Sequence, residues 1–220
     1  MNIELARFNM IEQQIRPWEV LDPSVLALLA AVRREDFVPP AYRALAFVDT
    51  QVPLPGGQCM LEPRVEARLL QALQVQRHEK VLEIGTGSGF MAALLGHRAQ
   101  RVVTLECNEA LARTAAANLQ RAGLANVEVR TVSAAEGARG LPAEAPFDAI
   151  VLSGSVADVP RALLAQLKPG GRLVAIVGDE PVMRGRLFTC TGPDAWSAVD
   201  LFDTLAPRLA GFAEPPRFSF

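Results

Sequence analysis

Val81-Leu82-Glu83-Ile84-Gly85-Thr86-Gly87-Ser88-Gly89 reads as a buried strand that runs into a glycine turn and opens a helix. Val81, Leu82 and Ile84 give the short apolar run of an inner parallel strand. Gly85, Gly87 and Gly89 let the backbone bend tightly and approach a ligand where a Cβ would clash. Such a turn binds a nucleotide, and its spacing narrows the choice. The dinucleotide fingerprint G-x-G-x-x-G would put its third glycine at position 90, where Phe90 stands. The spacing here is G-x-G-x-G. Glu83, two residues before the first glycine, would repel a pyrophosphate but suits a ligand carrying an ammonium and a sulfonium. Together these features imply S-adenosylmethionine as the cofactor and no measurable binding of NAD.

Working outward, Val102-Val103-Thr104-Leu105-Glu106 reads as the next strand. It ends in a carboxylate roughly 20 residues after the turn, where ribose hydroxyls are held in such folds. Strand and helix then alternate: helix 89–97, strand 102–106, helix 109–121, strand 127–132, strand 147–152, helix 159–167 and strand 172–177. Gly123 suits a helix end, and Pro169-Gly170-Gly171 makes the turn into the last of these strands. The pattern predicts an α/β fold, a doubly wound Rossmann-like parallel sheet. Segments 186–191 and 198–203 are candidate closing strands, and the tail 215–220 is short and aromatic.

Upstream of the turn, Phe8, Ile11 and Ile15 stand at helical spacing within residues 1–16, which predicts an amphipathic helix lying on the main domain. Asp22-Pro23 starts a second helix, with Asp as cap and Pro at the first helical position. Pro39-Pro40 stops any continuation. Residues 50–63 are rich in Pro and Gly, the mark of a functional loop, and a helix follows to about Leu73. The expected organisation is an N-terminal helical segment with its loop over 1–62 and a methyltransferase-type domain over 63–220.

Composition bounds the rest. Half of the 220 residues are apolar, enough for one substantial core, and the formal net charge of −2 leaves no basic surplus for a phosphate backbone. Nucleic acid is not expected as a partner. No run approaches the ~20 apolar residues of a membrane span, and the start lacks a signal-peptide pattern, so a cytoplasmic location is expected. Cys59, Cys107 and Cys190 form no C-x-x-C pair and read as reduced thiols; His78 and His97 are too few for a zinc cluster or a Cys-His pair. No metal is expected. Trp18 and Trp196 read as packing anchors, and Asp148 as a turn or cap residue.

Several segments resemble the protein-L-isoaspartate O-methyltransferases, and the likeness covers nearly the whole chain. Residues 10–16, Met-Ile-Glu-Gln-Gln-Ile-Arg, look like that family's opening helix. Arg34-Glu35-Asp36-Phe37-Val38-Pro39 resembles its Arg-x-x-Phe-Val-Pro stop. Residues 81–90 match the cofactor turn, and residues 145–151 and 164–171 look like the fourth strand and the turn before the fifth. The resemblance implies an S-adenosylmethionine-dependent O-methyltransferase that acts on isoaspartate in damaged proteins or peptides, with Glu83, Gly85, Thr86, Gly87, Ser88, Gly89 and Glu106 at the cofactor.

Two stretches depart from the pattern. The family's acceptor loop, Gly-x-Thr-Ile-Ser-x-Pro, corresponds to Gly57-Gln58-Cys59-Met60-Leu61-Glu62-Pro63, so Leu61 takes the place of the serine at the acceptor, flanked by Gln58, Cys59 and Met60. Leucine offers a carboxylate no hydrogen bond. The family's Gly-Asp-Gly after the third strand, whose Asp lies near the adenine, corresponds to Ser133 if aligned from the strand and to Glu136 if aligned back from Phe147. Three readings stay open: an isoaspartyl carboxyl methyltransferase, a methyltransferase for a more apolar acceptor, and a cofactor-binding protein without transfer activity. The residues are silent on oligomeric state.

Overall fold

The computed structural model describes residues 2–214; Met1 and the aromatic tail 215–220 lie outside the described residues. The chain opens with α1 (Ile3–Met10), capped by the Asn2 side chain, and runs on through a π-helical turn at Ile11–Ile15. α2 (Pro23–Ala31) begins as its sequence dictates: the Asp22 side chain accepts from the Ser24 N–H, and Pro23 fills a position whose N–H has no helical partner. The Pro/Gly-rich loop contains a minimal antiparallel pair, β1 (Val52–Pro53) and β2 (Cys59–Met60), ahead of α3 (Pro63–Leu73). Then come β3 (Lys80–Ile84), α4 (Phe90–Arg98), β4 (Arg101–Glu106), α5 (Glu109–Arg121), β5 (Val127–Thr131) and α6 (Ala134–Arg139). The chain continues with β6 (Phe147–Val156), α7 (Arg161–Leu164), β7 (Leu167–Asp179), β8 (Val182–Gly192) and β9 (Ala195–Thr204).

The main sheet has the order β5-β4-β3-β6-β7-β8-β9. Strands β3 to β7 are parallel, while β8 and β9 add antiparallel ribbons at one edge. The winding direction reverses between β3 and β6, because β4 and β5 lie on one side of β3 and β6 and β7 on the other. Ligands of open α/β sheets bind at such a switch point, beyond the carboxyl ends of the strands. The glycine turn after β3 lies there.

Strand alternation splits the interior. Val81, Val102, Ala149, Val151, Val174 and Ile176 join a core shared with Met10, Ile15, Leu29, Phe37, Leu61 and α3, so the N-terminal segment packs into the same interior as the sheet. Leu82, Ile84, Val103, Leu105, Ile150 and Leu152 face the opposite core with Leu163 and Leu164. Because side chains alternate along a strand, Glu83 points to the face of Val81, toward α3.

Four expectations need correction. Phe8 is 59% exposed, whereas Arg7, Met10, Ile11 and Ile15 are buried; the buried stripe runs through position 7 rather than 8, with Arg7 taking the inward place in a buried ion pair with Glu35. The helix expected over 159–167 is the single turn of α7, because the chain enters β7 at Leu167, where Phe147 pairs with it. Helix α6, absent from the sequence reading, follows β5. β6 runs beyond residue 152 to Val156 through an irregularity between Val151 and Ser155.

Candidate functional site

At the switch point the glycine turn is held by the next strand. The N–H groups of Gly85 and Thr86 donate to the Leu105 carbonyl at 2.9 and 3.3 Å, and Gly89 donates back to Thr86 at 2.9 Å. Gly85 has φ +94°, and a Cβ there would come within 2.7 Å of the Leu209 side chain. Gly89, at φ +87°, lets α4 start against Ala115, whose atoms lie 3.3 Å from where a Cβ would be. The buried Asn118 amide fastens the turn from α5 by donating to the Ser88 carbonyl at 2.9 Å.

Glu106 ends β4, nearly buried. Its Oε2 accepts from the Gly87 N–H at 2.8 Å and its Oε1 from the Asn108 N–H at 2.9 Å. A carboxylate has about four acceptor directions, so capacity remains for a ligand's hydroxyls. Glu83 is fully buried. It accepts from the hydroxyls of Thr104 and Ser153, each at 2.7 Å, and Thr104 is in turn 2.6 Å from the Thr86 hydroxyl.

Glu83 shares a small cavity with Glu66 of α3, Thr86, Ser88 and Ser153, walled by Cys59, Met60 and Leu61. Burial is the main reason that the Glu83 carboxyl is pushed up to about 8, with its two hydroxyl donors opposing and the charges of Glu66 and Glu106 adding to it. Burial likewise lifts Glu66 to about 7 against the pull of Arg34. An unfolded glutamate titrates near 4.3, so between about pH 4.5 and 8 the folded chain holds protons that the unfolded chain has lost. Stability is therefore expected to fall as pH rises through this window. Urea unfolding of the ligand-free chain at about pH 5 and about pH 8 measures it. The midpoint should be lower at the higher pH, and Glu83→Gln should shrink the difference; a midpoint that stays level or rises would count against these assignments.

The Pro/Gly-rich loop lies across the turn. The Leu54 side chain sits over Gly87, and Gly56 packs against the Asn108 amide. Gln58 and Cys59 meet Gly85, Gly87, Glu106 and Cys107 in a second cavity along the turn, closed from the other side by Leu209 and Ala210. The segment bearing Leu209 is tied to β6, since Ser155 donates to the Pro207 carbonyl at 2.8 Å and accepts from the Leu209 N–H at 2.9 Å. Cys59 is half-buried and its thiol is pushed up to about 11 by burial and by Glu62 and Glu66, which disfavours thiolate chemistry. Met60 and Leu61 are each 4% exposed. The Leu61 carbonyl accepts from the Arg34 guanidinium at 2.7 Å, so the Arg-x-x-Phe-Val-Pro segment holds the loop in place.

Ser133 and Glu136 form a reciprocal capping box at the start of α6: the Ser133 hydroxyl accepts from the Glu136 N–H, and the Glu136 carboxylate accepts from the Ser133 N–H at 2.8 Å. Both are exposed, and the cavity wall beside them is made by Val132, Ala134 and Gly137. The S-x-x-E spacing was the legible sign of α6. Sequence reasoning missed Glu66, Thr104, Ser153, Leu209 and Ala210. For Glu66 a signal existed: it occupies a place in the apolar stripe of α3, between Pro63 and Leu70. Thr104 alternates to the Glu83 face within β4, whereas Ser153 and Leu209 reach the site only through the β6 irregularity and the chain's return over it.

Residues 6–189 match the family model described as Protein-L-isoaspartate(D-aspartate) O-methyltransferase (PCMT). The chain is 42% identical over 175 residues to the protein-L-isoaspartate O-methyltransferase of Koribacter versatilis, covering 80% of this chain and 78% of that one. It is 46% identical over 171 residues to the protein-L-isoaspartate O-methyltransferase of Rhodopseudomonas palustris, covering 78% and 77%. Among solved structures, one assigned to the same enzymes from Plasmodium falciparum, in complex with S-adenosyl-L-homocysteine, superposes at TM-score 0.75 over 96% of this chain and 99% of that one; at 19% identity it speaks for the fold. The glycine turn, the loop that crosses it and the Arg34 segment that anchors the loop all lie within the matched residues, and the chain belongs to the protein-L-isoaspartate(D-aspartate) O-methyltransferase family.

Proposed function

We propose that this chain transfers the methyl group of S-adenosylmethionine to the side-chain carboxylate of isoaspartyl residues in proteins or peptides. Family membership supports the reaction. The observation that carries it here is the meeting of a carboxylate-lined glycine turn with the acceptor loop around shared cavities. The donor set fits the cofactor: Glu83 and Glu66 place carboxyls at one end of the turn that a cationic group would ionise, Glu106 keeps free acceptor directions for ribose hydroxyls, and Val132, Ala134 and Gly137 give an apolar wall for the base. Ser133 and Glu136 shape that wall by ordering the first turn of α6. Among the described residues no helix is long and apolar enough to cross a membrane.

The cofactor supplies an electrophilic methyl group on a sulfonium, and the acceptor, an aspartyl-type acid with a pKa near 4, is already ionised at neutral pH. No general base is required. The chain's part is alignment: Arg34 and Leu61 fix the loop, and the turn fixes the opposite side, a kind of positioning worth up to ~7–11 kcal/mol in favourable cases.

The test is transfer of labelled methyl to an isoaspartyl peptide and to its normal aspartyl counterpart. A base-labile methyl ester on the isoaspartyl peptide alone is expected. A chain that binds S-adenosylmethionine by calorimetry but labels neither peptide would overturn the proposal.

A further inference from the structure

Glu66 is 5% exposed, on the apolar face of α3. Its apparent role is counter-ion to Arg34, but that contact is long, 3.4 Å, and the same guanidinium nitrogen donates to the Leu61 carbonyl at 2.7 Å. Charge-assisted N–H···O bonds usually measure about 2.7–2.9 Å. Arg34 is thus engaged chiefly with backbone, and also reaches the Ala46 carbonyl at 3.1 Å. Meanwhile Glu66 borders the cavity that Glu83 enters from β3, with Ser88 and Ser153 on its walls. The charged groups that act on Glu66 are Arg34 and Glu62, and those that act on Glu83 are Glu66 and Glu106. Carboxylates outnumber the guanidinium in this buried space, and a cationic ligand group is what such an arrangement lacks.

We propose that Glu66 is a second carboxylate for the amino-acid ammonium of the cofactor, facing it from α3 while Glu83 faces it from β3. This rests on the reading of S-adenosylmethionine as cofactor. The glycine-turn pattern accounts for Glu83 but does not call for Glu66. The two carboxylates would select ligands carrying the α-amino group over those that carry only the adenosine part.

Calorimetry with two ligands tests this. S-adenosylhomocysteine carries the amino acid; 5′-methylthioadenosine has the adenosine and the thioether but no ammonium. Glu66→Gln keeps the shape and can still accept from Arg34. It should bind S-adenosylhomocysteine at least about tenfold more weakly than the parent while 5′-methylthioadenosine changes by less than about twofold. Equal weakening of both ligands would mean that Glu66 only shapes the pocket, and no weakening would mean that it is only a partner of Arg34; either overturns the proposal. A second measurement needs no variant: titrations of the parent near neutral pH, in buffers of different ionisation enthalpy, should show more protons released with S-adenosylhomocysteine than with 5′-methylthioadenosine, because an ammonium ionises the carboxyls. Equal release would overturn it too. A parent chain that binds neither ligand would overturn the cofactor reading itself, and this assignment with it.

Discussion

Replacing Arg34 by methionine is expected to destabilise the chain by about 3–5 kcal/mol, because two buried carbonyls each lose a charged donor, at roughly 1.5–3 kcal/mol apiece. Arg34 is 1% exposed and joins three parts of the molecule. It donates to the carbonyls of Ala46 and Leu61, approaches Glu66, and stacks 5.3 Å from the ring centroid of Phe90, the residue that opens α4 directly after the glycine turn. Methionine restores the volume of the stem and leaves those acceptors without a donor. The penalty should also depend on pH. Without the guanidinium, Glu66 avoids buried charge by holding its proton, so the loss is larger at about pH 8 than at about pH 5.5. Urea unfolding of parent and variant at both values measures this. A loss below about 1 kcal/mol, or one that shrinks as pH rises, would show that Arg34 is not the fastening described.

Leu61→Ser is expected to raise kcat/KM on an isoaspartyl peptide by about ten- to a hundredfold, because a hydrogen bond to a charged group is worth roughly 1.5–3 kcal/mol when it is made in the transition state. By the resemblance of its loop, Leu61 takes the place of the family's serine, and it borders the cavity shared with Glu83. Its side chain is buried, so the substitution also removes packing, at about 2–5 kcal/mol by analogy with leucine-to-alanine changes. Rates are therefore compared at a temperature where both forms are folded and with cofactor affinity measured for each. If the parent already works at the variant's rate, backbone N–H groups of the loop or Gln58 supply the donors and the hydroxyl is dispensable. If neither form acts on the peptide while both bind cofactor, the isoaspartyl reading falls.

The legible parts of the fold share a cause. The strand-turn-helix of residues 81–98, β4 ending in Glu106, and the Asp22-Pro23 start of α2 are local: apolar alternation, glycine at positive φ and cap chemistry act within a few residues and are written in order along the chain. Ser133 and Glu136 carry a second local signal besides their alignment with an acid near the adenine: together they cap α6. Phe8 fits the helical repeat of Ile11 and Ile15, yet the charged Arg7 takes the inward place beside Glu35.

The sequence alone determined the class of sheet, the glycine turn with its flanking carboxylates Glu83 and Glu106, and the loop that bears Leu61, because each depends on the spacing of neighbours. Only the tertiary structure decided what these features face. Alternation puts Glu83 on the α3 side, where it meets Glu66; the guanidinium of Arg34 reaches a carbonyl 27 residues further along the chain; and Ser153 and Leu209 close the site from strands and returns far away in the chain. Those contacts exist because buried polar groups must find partners wherever packing brings them, and no local pattern specifies which distant segment will supply them.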